Sequence, residues 1–213
     1  MKLNRFVDSD NEEPLTADAS LAVIEAERDR VAKRVTFNPA VMSGIWAVAW
    51  FVGFGCAYLA YGSDRVIPAW LGPTVAATFL VAAVVVSMLY AARINSGISG
   101  PSRTSAAMYG WSWMLGFACL TAVNIVLANR DLSSATITLL WSASSLLLVG
   151  VLQLAGGAIW RDWTQFAIGV WMMICATGAV LAGVPGNFLV QALAGGGGFA
   201  VLALYFVAQR RRA

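Results

Sequence analysis

The chain has 213 residues, 59% hydrophobic and 12% charged, where an average soluble domain is about a quarter charged. Of its 14 Lys and Arg and 11 Asp and Glu, fourteen in all fall in positions 1–34 and three more are Arg210, Arg211 and Arg212, which leaves eight between Val35 and Gln209. That pattern excludes a soluble domain, a disordered chain and a nucleic-acid binder, and it predicts an all-α polytopic membrane protein, since a charge at the bilayer centre costs about 2.5–3.5 kcal/mol.

In chain order, residues 1–19 read as an acidic, disordered tail. They lack the apolar stretch of a signal peptide, so a cleaved leader is not expected. Residues 20–35 read as an amphipathic helix with Leu21, Ile24, Val31 and Val35 roughly on one stripe, interrupted by Arg28. It suits a solvated juxtamembrane helix, or one that lies on the inner leaflet or docks a partner.

Six apolar runs follow, and each matches the roughly 20 residues needed to cross a bilayer core. They span about 39–62, 68–92, 104–128, 133–158, 162–182 and 187–209. Asn38 and Pro39 supply a cap and a first helical residue for run one. Pro73 falls in the first turn of run two, Ser133 or Ser134 opens run four, and Asp162 caps run five. Gly183-Val184-Pro185-Gly186 is a turn before run six.

The expected architecture is a six-transmembrane-helix bundle with an N-terminal cytoplasmic amphipathic helix. Residues 1–38 form the cytoplasmic tail and helix, 39–209 the membrane domain, and 210–213 a basic cytoplasmic end. The basic residues orient it. With both termini cytoplasmic, Arg28, Arg30, Lys33, Arg34, Arg93, Arg103, Arg161 and Arg210–Arg212 lie inside, and Arg65 and Arg130 alone lie outside. A hairpin repeat is suggested by Trp50, Gly53, Phe54 and Cys56, which match Trp113, Gly116, Phe117 and Cys119 at an offset of 63.

Much chemistry is excluded by absence. There is no histidine, lysine occurs only at Lys2 and Lys33, and no P-loop motif is present. Cys56, Cys119 and Cys175 are scattered in apolar runs, as packing residues would be. No enzyme activity, metal or cofactor is expected. Outside the N-terminal region the carboxylates are Asp64, Asp131 and Asp162, each at a helix end beside an arginine: Asp64-Arg65, Arg130-Asp131, Arg161-Asp162. These pairs read as caps and interfacial anchors, or as gating charges at the mouths of a pathway.

Asn124, Gln153, Gln165 and Gln191 lie toward helix ends, with Ser142, Ser144, Ser145 and Thr177 deeper. Such groups ordinarily bond to their own backbone or to a neighbouring helix. Trp46 and Trp50 share one helix face, as do Tyr109 and Trp113. A facing aromatic set of this kind could contact a lipophilic or cationic ligand, the alternative being bulky packing. Ala192, Gly196 and Ala200, with Gly195, Gly197 and Gly198 beside them, make a small-residue stripe for close helix packing. Gly156 and Gly157 point to helix four as its neighbour, with helix five second.

Three segments together, MYGWSWMLGF at 108–117, GGAIWRDWTQFAIGVW at 156–171 and GVPGNFLVQALAGGGGF at 183–199, resemble a group of small, uncharacterised actinobacterial six-helix membrane proteins that sometimes carry a transporter or ABC-permease label. The resemblance covers about residues 20–209. It implies a multi-pass protein of the bacterial inner (plasma) membrane and carries no site residues. Two functions follow as expectations: a small permease or export component for an amphipathic compound, or a non-transporting accessory or sensory subunit. The expected partners are the lipid bilayer and a membrane-protein or ATPase partner.

Overall fold

The computed structural model describes residues 16, 20–23, 38–62, 64–95 and 101–212. Two compact units are distinguished, 1–37 and 38–213. In the first, residues 20–23 are helical and the Ser20 N–H donates to the Thr16 carbonyl at 2.9 Å. The rest of the expected tail and amphipathic helix lies outside the described residues, as do Ser63 and much of the 95–103 loop.

The second unit is helical, with no strand among its described residues. Its elements are α1 (Pro39–Tyr61), α2 (Leu71–Asn95), α3 (Pro101–Ala128), α4 (Ser134–Trp160), α5 (Trp163–Val190), a π turn (Gln191–Gly195) and α6 (Gly196–Arg210). Among the described residues five helical stretches are long and apolar enough to cross a membrane, and the last runs 48 residues from Trp163 to Arg210. A straight helix of that length would reach about 72 Å, more than twice a bilayer core. It is broken where expected: Gly183 (φ 65°, ψ −175°) and Val184 (φ −90°, ψ 131°) leave helical geometry.

The caps follow the sequence. Asn38 accepts from the Val41 N–H at 3.3 Å, Ser133 from Thr136 at 3.1 Å, and Asp162 from Thr164 at 2.8 Å and Gln165 at 3.2 Å. The Asn38 N–H donates to the Tyr90 hydroxyl at 2.7 Å, so α1 begins where α2 ends. Gln165 near the start of α5 meets Tyr109 of α3 and lies beside Gly156 near the end of α4. At the opposite end of α1, Tyr61 stacks on Phe188 just beyond the break.

Helix α1 packs on α2 and α6, α4 packs on α5, and α3 leans more lightly on α4. The core draws Trp50, Leu146, Met172, Cys175, Ala179 and Phe199 from α1, α4, α5 and α6. With little hydrophobic drive between helices in lipid, contact quality must hold such a bundle. Here small residues bring backbones together: a Cβ on Gly157 would sit 2.7 Å from the Phe166 backbone nitrogen, and one on Gly169 2.7 Å from that of Leu154.

The repeat motif places its glycines alike and its tryptophans differently. Gly53 faces Ala76 of α2 and Gly116 faces Leu148 of α4, so each meets the helix that follows its own. Trp50 is buried, whereas Trp113 is half-buried.

Candidate functional site

The break and the π turn create the most unusual environment in the membrane-domain interior. Gly183 combines a positive φ with an extended ψ, a region that side chains with a Cβ essentially never occupy. Helix resumes with Pro185 in its first turn, where the missing N–H costs nothing. At Gln191 the chain winds into the π turn, and such turns recur at functional sites. The Trp171 indole N–H of α5 donates to the Ala194 carbonyl in this turn at 2.8 Å.

A buried polar cluster joins Asn187, between break and π turn, to Gln191 at the start of that turn and to Ser142 of α4. Asn187 is 0% exposed, Gln191 2% and Ser142 of α4 7%. The Asn187 Nδ2 donates to the Ser142 Oγ at 2.8 Å and the Gln191 Nε2 donates to the same oxygen at 3.1 Å. Gln191 Nε2 also reaches the Asn187 carbonyl at 3.3 Å. Asn187 Oδ1 is buried without a hydrogen-bond partner, and so is the Trp50 Nε1. A polar group left unpaired away from water costs on the order of several kcal/mol, so each of these two atoms is costly as it stands.

Two other polar contacts lie on α4. Asn124 Nδ2 of α3 donates to Ser144 Oγ at 3.0 Å, while Ser144 Oγ donates to the Leu140 carbonyl at 2.6 Å. Tyr109 donates to the Leu152 carbonyl at 2.8 Å, and Gln165 Nε2 bridges Tyr109 at 3.2 Å and Gln153 Oε1 at 3.1 Å. None of these groups carries a charge. The arrangement can orient a neutral donor or acceptor, and it offers no side chain that exchanges protons near neutral pH.

The aromatic residues singled out in the sequence fall into two separate clusters. Trp46 and Trp50 pack near Phe199, with ring centroids 6.3 and 5.7 Å away, and the Trp46 indole donates to Ser87 Oγ at 3.1 Å. Tyr109 meets Trp113 at 6.2 Å and Trp160 at 4.7 Å, and Trp113 stacks on Phe117.

The glycine stripe meets α1, which was not expected, and α5, the second of the two expected neighbours, but not helix four. A Cβ on Gly195 would collide with the Trp50 ring, and one on Gly196 would lie 3.2 Å from the Phe51 ring, both on α1. Gly198 faces Trp171 of α5, Gly197 faces open space, Ala192 is buried and Ala200 is half-buried. Helix four is not the stripe's neighbour because its glycines are already filled by α5, with Gly157 against the Phe166 backbone. Asp64, Arg65, Arg130, Asp131, Arg161 and Asp162 are all exposed at helix ends. Asp162 is a cap, and Arg161 takes the left-handed C-cap position of α4 (φ 55°, ψ 38°).

Sequence reasoning missed Asn187. It opens the sixth apolar run directly after the Gly183-Val184-Pro185-Gly186 turn, and its i,i+4 spacing to Gln191 on one helix face was a readable signal. No protein-family model, curated protein or solved structure matches the chain.

Proposed function

We propose that the chain is a six-crossing inner-membrane permease or export component for a neutral amphipathic compound, with both termini cytoplasmic. The observation that carries this reading is the Ser142–Asn187–Gln191 cluster with its unpaired Asn187 Oδ1, Asn187 standing between a helix break and a π turn. Discontinuous helices with polar groups at the break are where many transporters hold their substrates. The uncharged lining favours a ligand with a hydroxyl or amide over an ion.

The crossing count is supported by the Gly183–Val184 break and by the arrangement of ends, since Asn38 and Arg210 share one cleft. The orientation rests on Arg93, Arg103, Arg161 and Arg210–Arg212 against Arg65 and Arg130. In a background without native cysteines, Arg130→Cys will react with an impermeant maleimide from outside intact cells and Arg161→Cys only after permeabilisation. The reverse pattern would invert the topology.

The transport test uses proteoliposomes carrying an NBD-labelled glucosylceramide, a neutral amphiphile, quenched from outside by dithionite. Vesicles with the chain will lose the inner-leaflet signal, empty vesicles will keep it, and Asn187→Leu will slow the loss at least fivefold. Equal traces from loaded and empty vesicles would defeat the proposal for this class of compound. The second reading, an accessory subunit, draws on the exposed face of α3, where Met108 and Trp111 are 67% and 64% exposed. Recovery of a stoichiometric membrane partner with inactive vesicles would favour it.

A further inference from the structure

At the end of the bundle where α1 begins and α6 finishes, a cleft of about 310 Å³ is lined by Asn38, Ala40, Val41, Val207, Arg210 and Arg211. Its polar rim is rich in donors. Two guanidiniums bring five N–H groups each. The Asn38 Oδ1 is engaged by the Val41 N–H, while its amide nitrogen remains able to donate. Among the described residues no Asp or Glu lines the cleft. Its floor is apolar: Ala40, Val41 and Val207.

Val41 also lines a second, larger groove between α1 and α2, of about 500 Å³, with Gly44, Ile45, Val48, Phe79, Ala83 and Val86 among its walls. Among the described residues that groove has no charged one. A Cβ on Gly44 would meet nothing within 4 Å, so the groove is open there. A cationic, donor-rich rim that shares a wall with an open hydrocarbon groove matches the two halves of one molecule.

We propose that Asn38, Arg210 and Arg211 hold the phosphate of an anionic phospholipid, and that one of its acyl chains lies past Val41 in the α1–α2 groove. The cationic rim alone would suit any phosphate. The adjoining groove selects the lipid, because a free anion gains nothing from Gly44, Val48 or Val86. A net negative headgroup is favoured over a zwitterionic one, since a quaternary ammonium beside two arginines is repelled. The inference does not depend on transport.

The test is native mass spectrometry of the full chain in mild detergent, titrated separately with dioleoylphosphatidylglycerol, dioleoylphosphatidylcholine and inorganic phosphate. The parent will retain one phosphatidylglycerol at least tenfold more tightly than phosphatidylcholine and will show no adduct with phosphate alone. Arg210→Gln combined with Arg211→Gln will erase that preference. Gly44→Leu, whose Cβ would meet nothing within 4 Å, will weaken phosphatidylglycerol at least threefold with both arginines present. Equal retention of the two lipids would overturn the headgroup assignment. Binding of inorganic phosphate with no effect of Gly44→Leu would mean a free-anion site and overturn the lipid.

Discussion

Gly169→Ala will lower the melting temperature of the purified protein. The new Cβ would stand 2.7 Å from the Leu154 backbone nitrogen and 2.9 Å from the Gly150 carbonyl oxygen. Both are backbone atoms of α4, so neither can swing aside as a side-chain tip would, and the two helices must separate. Overpacking of this kind costs about 1–3 kcal/mol, occasionally more. The counter-experiment is Gly197→Ala. Its Cβ meets nothing within 4 Å, and alanine is favoured over glycine in a helix by up to about 1 kcal/mol. That variant will melt at or above the parent. If Gly169→Ala melts with the parent in the same detergent, the close α4–α5 approach is wrong.

Ser142→Ala will destabilise the protein by about 1–3 kcal/mol, the usual cost of stranding buried polar partners. Its oxygen receives Asn187 Nδ2 and Gln191 Nε2 together, and both donors would lose that acceptor inside the bundle. Gln191 keeps a longer contact to the Asn187 carbonyl, which offsets part of the loss. Ser144→Ala is the comparison. It strands a single donor, Asn124 Nδ2, and its own bond to the Leu140 carbonyl is dispensable because that carbonyl also belongs to the helix. Paired melts will show Ser142→Ala as the more damaging change. Equal melts would mean that the Ser142 cluster contributes no more than the Asn124 contact.

The helices themselves were legible because their signals are local and additive. The first four runs are bounded as the apolar stretches and the Asn38 and Ser133 caps suggested, to within a few residues. The turn at Gly183-Val184-Pro185-Gly186 was legible for the same reason, through residues with narrow backbone preferences. Which helix meets which was not. In a chain apolar on every side, periodicity no longer separates a buried face from a lipid-facing one, so Gly196 showed that something packs closely but not that it is Phe51. The polar cluster was half legible. Ser142 and Gln191 stood out by residue type, but Asn187 did not, and Asn187 and Gln191 reach Ser142 only because the chain breaks before them and resumes. The π turn had no sequence signature beyond the glycines beside it.

Helix α3 illustrates how unevenly this fold constrains its own sequence. Apart from Asn124, its described side chains are half-buried or exposed, and Leu115 and Val123 are 59% and 56% exposed. Residues that meet only lipid are held to a partition coefficient and not to a shape, so Leu, Ile, Val, Met and Phe are close to interchangeable there. Gly150, Gly157 and Gly169 have no such freedom, because another backbone occupies the space beside them. Random mutation followed by selection for folded protein would therefore leave two records in one chain: α3 preserved as a composition, and the α4–α5 seam preserved letter by letter.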